Sequence, residues 1–191
     1  MNGAGPRRVA IAAAALLVVV AGACTSAPGS SVLVADGGRF RVPLPEGWDS
    51  RAIDRGAWVD GTTVALISSQ PLDPQCPAAS AVASTASPGG CTAPLASLRP
   101  GALLAWWHTT TCAGSGCELP EGERLLVGGR QAVRVTGTHQ CDALAATDEA
   151  AYLVTVTPQR VDAIVVCERN ASEAVRSQLA GLLEHVQWRT P

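Results

Sequence analysis

The sequence predicts an α+β fold, an antiparallel sheet with helices packed against it and disulfides stapling the chain. Three observations carry that expectation. Short β-prone runs alternate between turn signals, one late segment repeats its apolar residues at helical spacing, and six cysteines remain once Cys24, just after a leader-like segment, is set aside.

The elements follow in order. Val32-Leu33-Val34 and Arg39-Phe40-Arg41-Val42 flank Asp36-Gly37-Gly38, a hairpin signal. Phe40, Val42 and Leu44 share a face predicted to be buried, with Arg39, Arg41 and Pro43 on the other. Pro43 and Pro45 have no amide donor, so the strand must leave the sheet or lie at its edge. Glu46-Gly47 then turns the chain and lets Trp48 fold back over the sheet end. A second hairpin is expected from Ala57-Trp58-Val59 through Asp60-Gly61 to Thr63-Val64-Ala65-Leu66-Ile67.

Residues 71–94 read as a Pro/Ala/Ser-rich loop containing Cys76 and Cys91, long enough to need a function or a staple. Pro100 to His108 reads as a short helix with Pro100 near its first position. Its Trp106 and Trp107 are expected mainly in the core, since the chain has one Phe and one Tyr besides its five Trp. Strands are expected at 124–127, 132–138, 152–156 and 163–167, the last two joined by Thr157-Pro158-Gln159-Arg160. A closing helix follows, capped by Asn170 with Glu173 reaching back. Its stripe is Val175, Leu179, Leu182, Leu183 and Val186, with Trp188 behind.

Before all of these, Arg7 and Arg8 precede an uncharged run from Val9 to Ala21, too short to span a bilayer as a helix. That is the layout of a secretory signal peptide over residues 1–23. Ala21-Gly22-Ala23-Cys24 resembles a lipoprotein box in which Cys24 is lipidated, although Ala21-Gly22-Ala23 would also suit ordinary cleavage. Cysteine parity chooses: of seven cysteines, setting Cys24 aside leaves an even set, and lipidation gives the odd one a job. Residues 24–31 then form a flexible tether and residues 32–191 a single domain. The expected location is extracytoplasmic, on the outer face of the plasma membrane, held by the lipidated N-terminus. Without Arg7 and Arg8 the formal charge goes from -2 to -4, and the remaining arginines are scattered, so no basic stripe points to nucleic acid.

Six cysteines allow 15 pairings. Cys76 with Cys91 closes the irregular loop. Cys112, Cys117, Cys141 and Cys167 are expected to gather at one sheet end, paired as Cys112–Cys117 with Cys141–Cys167, or as Cys117–Cys141 with Cys112–Cys167. His108, Cys112, Cys117, His139 and Cys141 are also a candidate metal set. Their spacing is not that of a CxxC knuckle, and an oxidising compartment favours disulfides, so no metal and no cofactor is expected. No Gly-x-Ser-x-Gly elbow occurs, and a triad would have to assemble around His108, His139 or His185 from distant positions. Asn170-Ala171-Ser172 is formally a glycosylation sequon, read here as the helix cap.

The order of three stretches carries a resemblance. Gly38 to Trp48 reads G-x-F-x-V-x-L-P-x-G-W, Val127 to Val135 reads V-G-G-R-Q-A-V-R-V, and Tyr152 to Trp188 joins a hairpin to a helix ending in Trp. Together they resemble the Mog1/PsbP-like fold, and within it the LpqN/LpqT-type actinobacterial lipoproteins. The basic residues are all Arg, with no Lys, which fits the coding bias of a GC-rich genome. The resemblance implies a scaffold for binding and assembly with no catalytic residue set. The expected function is therefore a non-catalytic, lipid-anchored envelope module that engages an envelope protein or a lipid or glycolipid between helix and sheet. The alternative is an extracytoplasmic hydrolase with a non-local catalytic set.

Overall fold

The computed structural model describes residues 31–54, 58, 60–74, 93–114 and 116–189. The signal peptide, Cys24, nearly all of the tether, and Cys76 and Cys91 in their loop lie outside the described residues. The described chain is a mixed α+β structure of antiparallel sheets, one α-helix and two disulfides. Its elements are β1 (Val32–Ala35), β2 (Phe40–Pro43), β3 (Asp49–Ala52), β4 (Thr63–Ser68), β5 (Leu103–Thr111), β6 (Glu123–Val127), β7 (Arg130–Thr136), β8 (Asp148–Thr157), β9 (Arg160–Glu168), α1 (Glu173–Glu184) and β10 (Gln187–Trp188). A small sheet has the order β1-β2-β10 and a seven-stranded sheet the order β3-β4-β5-β9-β8-β7-β6.

The first hairpin forms at Asp36-Gly37-Gly38 as a 3-10 turn, and Phe40, Val42 and Leu44 are buried. β2 ends at Pro43, and Trp48 folds inward to donate its indole N–H to Gln178 of α1 at 3.0 Å. The second hairpin is wider than the sequence suggested. Asp60-Gly61 does turn the chain, but β4 pairs with β3, while Trp58 forms only an isolated bridge and Ala57 and Val59 lie outside the described residues. Asp60 Oδ1 accepts the backbone N–H of Thr62 and Thr63, which tightens the turn.

The helix expected over Pro100 to His108 is a strand. Pro100-Gly101 is a turn, with Gly101 at φ +86, and β5 then runs between β4 and β9. A central strand covered on both faces presents a continuous apolar run, which periodicity alone does not separate from a short buried helix. Trp107 is fully buried against Phe40 of the small sheet, whereas Trp106 points to the opposite face and meets Trp58 edge-on. The helix cap also moves. Ser172 caps α1 by accepting the Val175 N–H at 3.3 Å, while Asn170 sits outside at φ +51.

The two core clusters lie on opposite faces of the large sheet. On one, Trp107, Ile164 and Val166 share a cluster with Phe40 and Val42 of the small sheet and Leu179, Leu182 and Leu183 of α1. On the other, Leu104 and Val165 meet loop residues Leu72, Leu95, Leu98 and Leu144. A buried ionic node sits in the first layer. Asp162 accepts from Trp107 Nε1, Thr109 Oγ1 and the guanidinium of Arg160, which also reaches Asp36 at 2.7 Å.

The disulfides are Cys112–Cys117 and Cys141–Cys167. They do not gather at one sheet end. Because 103–111 is a strand antiparallel to β9, Cys112 reaches the β8–β9 turn and donates its N–H to Gln159, while Cys167 lies beside Leu104 at the far end of the ladder. Loop-closure entropy gives their relative weights. With sequence separations of 26 and 5, replacing Cys141–Cys167 with alanines is expected to cost about 3.5 kcal/mol and replacing Cys112–Cys117 about 2 kcal/mol. Urea midpoints of the two double variants check the order, which would be reversed if the short loop dominated.

Candidate functional site

The late helix and the outer strands build a broad concavity. Along the register Ile164↔Tyr152↔Arg134↔Glu123, the sheet face passes from fully buried to half-buried to charged. Beneath α1 the parallel row Val154↔Ala132↔Leu125 supplies apolar floor. Leu179 and Leu183 of α1 form the opposing wall, and the groove between them holds about 690 Å³. It shares Arg134, Asp148, Tyr152 and Glu168 with a second hollow of about 410 Å³ that runs toward Cys141 and Glu149.

Its walls are held in place by local contacts. Gly128, in the β6–β7 turn, donates its N–H to Leu183 at the end of α1, and a Cβ there would lie 2.2 Å from the Val186 carbonyl. The turn therefore needs glycine for close approach as well as for its φ of +54. Trp188 locks the same corner by donating to Val127 O at 3.0 Å, beneath the Arg130 guanidinium. At the other end Glu149 accepts from Thr138 Oγ1 and the Cys141 N–H. Burial pushes its carboxyl pKa up, but these hydrogen bonds pull it down further, to a net value below the usual glutamate range.

The rim is charged with both signs. Arg176 Nε donates to Glu168 at 2.7 Å and its Nη2 lies 3.8 Å from Asp148, while Arg134 reaches Glu123 at 3.3 Å. Glu184 has no ion-pair partner among the described residues. An apolar floor beneath a two-signed rim suits recognition of a ligand with its own apolar body and polar groups.

His108 occupies a different place, on the opposite sheet face. Its Nδ1 lies 3.5 Å from Asp60 Oδ2 and 3.3 Å from Thr62 Oγ1, and its ring is 4.8 Å from that of Trp106. Its Nε2 is buried with no hydrogen-bond partner among the described residues. The carboxylate and the hydroxyls of Thr62 and Thr63, the latter 3.5 Å away, thus share the Nδ1 side, and among the described residues no hydroxyl bonds Nε2, where a base acting through that nitrogen would need one. Burial lowers the imidazole pKa, outweighing the opposite pull of Asp60. Burial raises the Asp60 carboxyl, yet the hydrogen bonds from Thr63 and Thr62 bring it below its usual value.

A histidine depressed in the folded state is charged first in the unfolded one, so stability falls as pH drops below the ordinary value of about 6.5 toward the folded pKa. The ring of His108 should titrate below about 6.5 by NMR. His108→Gln should remove that part of the pH dependence, and an unchanged profile would contradict its burial as the cause.

The other sequence candidates do not join either place. His139 is 80% exposed beside Asp142, and His185 is the C-cap of α1, its Nδ1 2.7 Å from Gly181 O. Among the described residues no three His, Cys, Asp or Glu side chains are placed to share a metal ion, and four of the cysteines are in disulfides. The groove and the Arg160–Asp162 node were missed from sequence. Asp162 did carry a signal, a lone carboxylate inside the apolar run Val161 to Val166. No protein-family model matches this chain, and no curated protein matches it significantly.

Proposed function

We propose that the protein is a lipid-anchored, extracytoplasmic binding or assembly module of the cell envelope, non-catalytic, with a Mog1/PsbP-like fold, and that the groove between α1 and β6–β8 is its recognition surface. The observation that carries this reading is the combination of apolar floor and two-signed rim in one concavity. The rim disfavours full burial of an acyl chain, because Arg134, Arg176 and four carboxylates would be stripped of water without new partners. An envelope protein segment, or the headgroup of a lipid or glycolipid, meets both parts. The Cys112–Cys117 and Cys141–Cys167 bridges support an oxidising compartment.

The test is crosslinking in intact envelopes. A photoreactive residue replaces Ala180, which is exposed in the groove, or Ala174, which is exposed on α1 outside its lining. Crosslinked proteins and co-purified lipids are then identified. A specific product from position 180 and none from 174 is expected, and identical or empty patterns would sink the proposal. The second reading, a hydrolase, rests on the Asp60–His108 pair. Labelling by a broad serine-hydrolase probe that disappears in His108→Gln would favour it.

A further inference from the structure

We infer that the outer face of the small sheet docks on an anionic lipid bilayer, so that the domain lies against the membrane that anchors it. This rests on the reading of Cys24 as lipidated. The alternation that buries Phe40 and Val42 turns Arg39 and Arg41 outward, and the ladder sets Arg41 between Val34 of β1 and Gln187 of β10. Arg189, exposed, continues this edge, with its N–H donated to Arg39 O. On the same face Val32 is 52% and Val34 44% exposed, two of the three exposed large apolar residues among those described. None of the three strands contains an acidic residue. Of the nearby carboxylates, Asp36 has a side chain only 4% exposed and turned to Arg160, with Arg39 3.7 Å away, and the exposed Asp54 lines the hollow beside Val34 and Arg39 at the margin of this face.

Charge complementarity selects the occupant. Arg39, Arg41 and Arg189 cluster on one face of a chain whose formal charge is negative, and guanidinium groups pair best with anionic oxygens. Phosphate oxygens would supply the acceptors, and the valines would enter the headgroup boundary between them. Reach selects the same surface. Eight residue steps separate Cys24 from Val32, so a lipidated Cys24 holds the first residue of this face within roughly 29 Å of the bilayer. At such a distance even weak contacts are reinforced by high effective concentration.

The test uses the full chain in two forms, lipidated wild type and Cys24→Ser, with vesicles of phosphatidylcholine alone or mixed with phosphatidylglycerol. The Cys24→Ser chain is expected to sediment with the mixed vesicles, to be released by salt, and to stay free of the neutral ones. Arg41→Gln and Arg189→Gln should each reduce partitioning about fivefold, while Arg124→Gln on β6 should leave it unchanged. For the lipidated protein, amide exchange over 32–43 should slow on mixed vesicles relative to neutral ones. Slower exchange without sedimentation of the Cys24→Ser chain supports docking that depends on the anchor. Equal behaviour on both compositions in both assays, or equal loss with Arg124→Gln, overturns the inference. The mass of Cys24 in the wild type reports lipidation separately: an unmodified Cys24 with salt-sensitive vesicle binding would refute the anchor and keep the docking face.

Discussion

Asp162→Ala is expected to destabilise the protein by about 3–5 kcal/mol, because it removes one of the two buried carboxylates that serve Arg160 and leaves two buried neutral donors without an acceptor. The Asp162 side chain is fully buried and serves three donors at once, the indole of Trp107, the hydroxyl of Thr109 and the guanidinium of Arg160. Removing it leaves two neutral donors unsatisfied and Arg160, itself 9% exposed, with Asp36 as its remaining carboxylate. Arg160→Met attacks the same node from the other side and leaves Asp162 and Asp36 without their common cation. The two changes share partners, so the double variant should cost at least about 1 kcal/mol less than the sum of the singles. Urea unfolding of the four proteins checks this. Strict additivity would mean that Arg160 and Asp162 do not act as a unit.

Trp107→Ala should also cost about 3–5 kcal/mol, with Trp106→Ala costing less than half of that. The residues are neighbours in sequence but face opposite ways across the sheet. Trp107 stacks on Phe40 with ring centroids 4.2 Å apart, meets Trp188 at 5.6 Å, and so ties the large sheet to the small one. Trp106 is half-buried, with an edge contact to Trp58 at 6.1 Å and a hydrogen bond to Thr63 at 2.9 Å. Near-UV circular dichroism should report the difference, since Trp107→Ala removes a fully buried ring from between Phe40 and Trp188, whereas Trp106→Ala removes a half-buried ring beside Trp58 and His108. Equal losses from both substitutions would contradict the deeper burial of Trp107.

Where local pattern and tertiary environment agreed, the sequence was legible. The first hairpin, the strand pairs around Gly128-Gly129 and Pro158-Gln159, and the apolar stripe of α1 all formed where alternation and turn chemistry put them. It was misleading at Pro100 to His108, where a strand buried on both faces has no alternation to display. The expectation that four cysteines gather at one sheet end extends the hairpin around Gly128-Gly129 back to residue 118; its ladder instead stops at Glu123↔Arg134, and Cys117 donates its N–H to Pro158.

By itself, then, the sequence determined the apolar faces of the first hairpin and of α1, and the turns at Asp36-Gly37-Gly38, Gly128-Gly129 and Pro158-Gln159. These follow from side-chain periodicity and turn stereochemistry, which act over a few residues. Only the tertiary structure decided the rest: which strand lies beside which, that Arg160 links Asp162 to Asp36, itself 124 positions from Arg160 in the chain, and that α1 leaves a charged-rimmed groove over β6–β8. Each of those depends on residues far apart in the chain meeting in space, and no local pattern encodes the meeting.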